Sequence, residues 1–174
     1  MSVHWYIYED LRDTAAAACR KVLDLLNVTL TDRDRATLAV SGGSTPKLLL
    51  AEMANSGFDW SRTHLFWVDE RGVPPTDAQT ASLFPGEPLI DDSENLDAAV
   101  YVEKFRQWRI TLLPGVLLAA RNTIMLVSGE DKAEALRTIS EEPFNPKKYA
   151  VQIVTQSQGN VMWFVDKAAA RQIR

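Results

Sequence analysis

The run Leu38-Ala39-Val40-Ser41-Gly42-Gly43-Ser44-Thr45-Pro46, continued by Lys47-Leu48-Leu49-Leu50-Ala51-Glu52-Met53, constrains this chain more than any other stretch. Leu38, Ala39 and Val40 read as a short buried strand. Gly42 and Gly43 let the backbone turn sharply and approach a ligand with no Cβ in the way. Ser44 or Thr45 suits a helix cap, and Pro46 suits the first helical turn, where no N–H is needed. A strand, a glycine turn and a helix N-terminus with free amides and two hydroxyls are the parts of an anion site, and phosphate is the usual anion. The same parts also make an ordinary turn in any α/β domain, so the rest of the chain has to decide.

With 174 residues, one domain with a real core is the expectation. A net charge of −4 argues against a nucleic-acid-binding surface. The single cysteine, Cys19, lies in an alanine-rich helical stretch, where it reads as a small buried residue rather than a nucleophile. One cysteine allows no internal disulfide and fits a reducing, cytoplasmic setting. No apolar run reaches membrane length, and the N-terminus lacks a basic-then-apolar leader pattern. A soluble protein with no membrane partner is expected.

Val3 to Tyr8 reads as a first strand and Asp10 to Asn27 as a helix, with a polar turn at Thr31 to Asp34. The helix after Pro46 ends near Asn55-Ser56-Gly57. His64 to Val68 is a strand that runs into Asp69-Glu70-Arg71, and Gly72-Val73-Pro74-Pro75 breaks regular structure. Thr76 to Leu96 shows no sustained period. Val100 to Phe105 reads as a strand or edge, Pro114 to Ala120 as a short helix, and Thr123 to Val127 as a strand. Ser128 to Asp131 turns into a helix over Lys132 to Ile139. Tyr149 to Val154 and Val161 to Val165 read as strands, and Asp166 caps a final helix over Lys167 to Ala170. The alternation predicts an α/β fold: a mostly parallel, Rossmann-like doubly wound sheet with helices on both faces.

Ligands bind such sheets beyond the carboxyl ends of the strands. Three loops are expected there if their strands are parallel: Gly42 to Thr45, Asp69 to Arg71, and Ser128 to Lys132. Arg71 offers a guanidinium fork suited to phosphate or carboxylate, or else a salt bridge to Asp69 or Glu70. Lys132 at a helix start opposes the helix dipole, which an anionic ligand would offset; a solvated surface lysine is the alternative.

Ser41 to Pro46 and Trp67-Val68-Asp69-Glu70-Arg71-Gly72-Val73-Pro74-Pro75 resemble the 6-phosphogluconolactonase family, which shares a superfamily with the glucosamine-6-phosphate deaminases. Thr80 to Gly86, Arg109 through Arg121, Gly129 to Leu136 and Trp163 to Ala169 resemble further family segments, in order along nearly the whole chain. The Asp-Glu-Arg turn and the Trp163 segment favour the lactonase branch. The resemblance implies hydrolysis of 6-phosphogluconolactone to 6-phosphogluconate, without metal or organic cofactor. It implies that Gly42, Gly43, Ser44 and Thr45 hold the sugar phosphate, that Arg71 binds or polarises it, and that Lys132 helps hold the phosphate.

Lactone hydrolysis needs a general base and an oxyanion stabiliser. The resemblance implies a histidine in an Asp-Gly-His turn just before the segment matching Thr80 to Gly86, and this chain has Asp77-Ala78-Gln79 there. It reads as two family segments joined near Gln79 and Thr80, short of one helix-strand unit. His4 and His64 begin strands, which puts His64 about 16 Å from the ligand edge. Asp69, Glu70, Asp77 and Glu130 remain as carboxylate candidates, Asp69 foremost. Three readings stand: a lactone hydrolase, a sugar-phosphate-binding module without turnover, and a deaminase-like isomerase. A lost unit would also expose a sheet edge and favour self-association.

Overall fold

A computed structural model describes residues 3–71, 88–103 and 106–173. The chain opens with strand β1 (Val3–Tyr8) and helix α1 (Leu11–Asp32). Asp10 caps α1, its carboxylate accepting from the Asp13 N–H at 2.9 Å. The helix runs one turn beyond the expected end at Asn27. Thr29 and Thr31 donate their hydroxyls back to the Leu25 and Val28 carbonyls, so the polar stretch stays helical instead of turning.

Strand β2 (Ala36–Val40), helix α2 (Pro46–Ala54) and strand β3 (Thr63–Trp67) follow, with β2 and β3 parallel and Leu38 opposite Leu65. Later come strand β7 (Asn122–Val127), helix α4 (Ala133–Glu141), strand β8 (Asn160–Asp166) and helix α5 (Lys167–Ala170). The parallel set β1-β8-β7 has β8 at its centre. Helices cover it on both faces. Met162 and Phe164 of β8 pack on Ala17 and Ala18 of α1, where small side chains allow close approach. Val161, Trp163 and Val165 face Leu136 of α4 and Ala169 and Ala170 of α5, with Trp5 stacked on Trp163 at 5.0 Å. This is the expected α/β architecture of parallel strands and flanking helices.

Further features differ from expectation. Asp69–Arg71 is a strand, β4, rather than a loop, and it pairs antiparallel with strand β6 (Gln107–Leu112). Strand β5 (Asp97–Val102) pairs with the other edge of β6, making a separate three-stranded antiparallel sheet that ends in the short helix α3 (Pro114–Leu118). Tyr149 to Val154 is not a strand but part of a 3-10 turn over Ala150–Gln156. There a three-residue period turns Val151 and Val154 onto the Trp163 core, and the packing overrides the β preference of valine. Buried Gln152 fastens this turn, its carbonyl accepting from the Asn145 N–H at 2.7 Å. The helix expected over Lys132 to Ile139 starts instead as a 3-10 turn at Glu130–Lys132.

Candidate active site

The glycine turn sits where the sequence places it, at the carboxyl end of β2. Gly43 has φ +111°, a conformation that a side chain would strain. A Cβ on Gly42 would meet nothing within 4 Å, so the backbone there faces open space. Pro46 fills the first turn of α2 as expected. The expected cap is absent. Thr45 holds the cap position with helical dihedrals (φ −61°, ψ −48°) and no side-chain cap bond, because its hydroxyl cannot reach the next amides from there. Among the described residues neither Ser44 nor Thr45 engages its hydroxyl, and of the first-turn amides Lys47 bonds the Ser44 carbonyl, so the two hydroxyls and the Gly42 to Thr45 amides stay available to an anion.

Val68 ties the second segment to the first. Its N–H donates to the Val40 carbonyl at 2.9 Å, and its own carbonyl accepts from Leu112 at 2.8 Å. The chain thereby leaves the parallel pair at the level of Ser41 and enters the antiparallel sheet. Asp69 comes next, its carboxylate 3.6 Å from a guanidinium nitrogen of Arg109. Both side chains are withdrawn from water, that of Arg109 completely. Asp69 thus neutralises a buried cation, a task that competes with activating water. Backbone pairing sets Arg71 opposite Arg109. The side chains of Glu70 and Arg71, and all of Asp77, lie outside the described residues.

The third segment is built around Asp166. Its carboxylate accepts from the Ala169 N–H at 2.8 Å, capping α5 as expected. It also takes the Ser128 hydroxyl and the Gly129 N–H, the latter at 3.1 Å. Gly129 needs φ +99° for this, and an added Cβ would strike the Asp131 carboxylate at 2.7 Å. One buried carboxylate therefore sets the turn that presents Glu130, Asp131 and Lys132. Lys132 is half exposed and paired with Asp131 at 2.6 Å. That pair holds the Asp131 carboxyl below the usual carboxylate range. Glu130 is bound by Arg171. The first two segments are joined directly; the third stands across a break between β2 and β7, with no hydrogen bond to Gly42–Thr45 among the described residues.

Both histidines lie away from these segments, as expected. His64 is the second residue of β3, exposed and in contact with Arg35 at 2.9 Å, and His4 is the second residue of β1. Among the described residues no group of three or more His, Cys, Asp or Glu could hold a metal, and no helix is long and apolar enough to cross a membrane. Two residues escaped the sequence reading. Arg109 hides in a strand whose pattern is inverted, with Trp108 and Ile110 exposed around it. Asp166 was legible as a cap but not as the anchor of the Gly129 turn, which lies 37 residues away in sequence.

The family model described as glucosamine-6-phosphate isomerases/6-phosphogluconolactonase matches residues 9–80 and 76–163. A 6-phosphogluconolactonase of Haemophilus influenzae is 26% identical over 200 residues, covering 77% of this chain and 86% of the relative. A bovine 6-phosphogluconolactonase is 42% identical over 102 residues, covering 58% of this chain and 38% of the relative. The solved 6-phosphogluconolactonase of Trypanosoma brucei has the same fold, with TM-score 0.86 at 18% identity over 99% of each chain. With the two matches spanning most of its length, this chain belongs to the glucosamine-6-phosphate isomerase/6-phosphogluconolactonase family.

Proposed function

We propose that this chain is a 6-phosphogluconolactonase-type protein that binds a six-carbon sugar phosphate and opens its lactone to 6-phosphogluconate. The observation that carries the reading is the family match running through all three site segments, together with relatives that are themselves 6-phosphogluconolactonases. In this reading the phosphate and ring oxygens meet the Gly42 and Gly43 amides and the Ser44 and Thr45 hydroxyls. Lys132 exchanges its weak surface pairing with Asp131 for the phosphate, and Arg71 draws charge from the lactone carbonyl. Asp69 acts by fixing Arg109 opposite Arg71. The setting is cytoplasmic.

The positions of His4 and His64 favour a second reading of the chain acting alone: it holds the sugar phosphate without a histidine to activate water. One experiment separates the two. Saturable binding of 6-phosphogluconate with lactone loss above the spontaneous rate supports hydrolysis. The same binding with lactone loss at the spontaneous rate leaves a binding module, and no binding refutes both.

A further inference from the structure

Strands β2 and β7 each present an unpaired edge. The Val40 carbonyl bonds Val68, so in the alternation of a parallel ladder Thr37 and Ala39 aim their N–H and C=O groups away from β3. The Arg121 carbonyl bonds Asn160, so Ile124 and Leu126 likewise aim theirs away from β8. Among the described residues nothing pairs with either row. Yet both strands rest on α1, since Ile124 packs on the same Cys19, Val22 and Leu26 cluster as Ala36 and Leu38. A helix about 10 Å across covers about two strand spacings of 4.8 Å, so two unbonded strands flanking it stand about one strand apart.

The face of β2 and β3 opposite α1 is also bare. Thr37, Ala39, His64 and Phe66 are all exposed there, whereas β8 carries α4 and α5 on the corresponding face. The slot therefore lacks a strand, and the bare face lacks a helix. Relatives carry a stretch that faces no residue of this chain. Across 200 aligned positions the Haemophilus influenzae protein meets 77% of this chain, about 134 residues, so about 66 of those positions face no residue here. The two pieces of the family match meet at residues 76–80, which locates that stretch just after β4.

We propose that the gap between β2 and β7 is a binding site for one parallel strand with its helix, a family segment that this chain takes up from a second polypeptide. A strand seated there ends between the Gly42 turn and the Gly129 turn, so the loop that follows it enters the middle of the candidate site. The proposal stands on backbone pairing and holds whether or not the complex turns over lactone.

The test adds the segment of the Haemophilus influenzae protein that faces the gap, made as a separate peptide, to the full chain. Binding is followed by calorimetry and by hydrogen exchange. The expected result is saturable one-to-one binding with slowed exchange at the Thr37, Ala39, Ile124 and Leu126 amides. Ala39→Pro removes an N–H that β3 does not use, and it should weaken binding by about tenfold or more. Absence of binding, or protection confined to β1 or β5, overturns the proposal. So would a dimer of this chain whose β2 and β7 amides are already protected, since a second copy would then fill the slot.

Discussion

Replacing Asp166 by alanine tests how the Gly129 turn is held. The carboxylate is buried and accepts from three groups: the Ala169 N–H, the Gly129 N–H and the Ser128 hydroxyl. Losing the cap of α5 costs about 1 kcal/mol. Leaving the Gly129 and Ser128 donors without their acceptor costs about 1 kcal/mol each. Asp166→Ala should therefore lower stability by about 3 kcal/mol, a large part of the about 5–15 kcal/mol that holds a domain together. Asp166→Asn keeps one carbonyl oxygen for the cap and should cost about 1 kcal/mol. Urea unfolding followed by tryptophan fluorescence reads this out, because the stacked Trp5 and Trp163 lie in the core beside α5. With a slope of about 2 kcal/mol/M, the alanine variant should unfold at about 1.5 M less urea. In a double-mutant cycle with Ser128→Ala, a coupling near 1 kcal/mol is expected. An alanine variant within about 0.5 kcal/mol of the parent would refute the argument, as would an asparagine variant equally damaged.

Gly115→Ala would gain about 1 kcal/mol in an open helix, but here the new Cβ would lie 2.3 Å from the Ser93 carbonyl oxygen, so the melting temperature should fall; a rise would contradict the packing. Burial, reinforced by Glu52, pushes the Cys19 thiol up, so folded protein at about pH 8 should resist iodoacetamide and react once urea unfolds it. The Asn95 side chain, with the Asn95 and Glu94 amides, holds the Asp92 carboxyl below the usual range. That depressed value makes the turn's contribution complete above about pH 3.9 and lost as pH falls through the lower folded value. The Asn95 amide resonance should accordingly titrate with a midpoint below about 3.9, and Asp92→Asn should abolish the titration. Lys132→Ala should leave the unfolding midpoint unchanged, since its pair with Asp131 is a surface one, yet weaken 6-phosphogluconate binding about tenfold by calorimetry.

Much of this fold is local and hence legible: the glycine turn before Pro46, the Asp10 and Asp166 caps, and the alternation that places helices on both faces of β8. What escaped depends on partners distant in the chain. Nothing near Arg109 announces burial, because its neighbours Trp108 and Ile110 are the residues a pattern would bury, and its charge is met by Asp69 from across the β4–β6 ladder. Gln152 reads as surface until its carbonyl is seen closing the Asn145 turn. The strands around the gap mislead in the opposite sense. Leu65-Phe66-Trp67 and Ile124-Met125-Leu126-Val127 are apolar on both faces, the composition of strands covered on both sides of a parallel sheet. Yet Phe66, on the bare face of the β2–β3 pair, is about half exposed, and no residue of β7 is fully buried. A strand that stood at an edge by design would carry charge, proline or a bulge. These carry none. Their residues fit a sheet with one more strand and one more helix than this chain supplies, so the mismatch between composition and exposure marks the same gap that the backbone edges do.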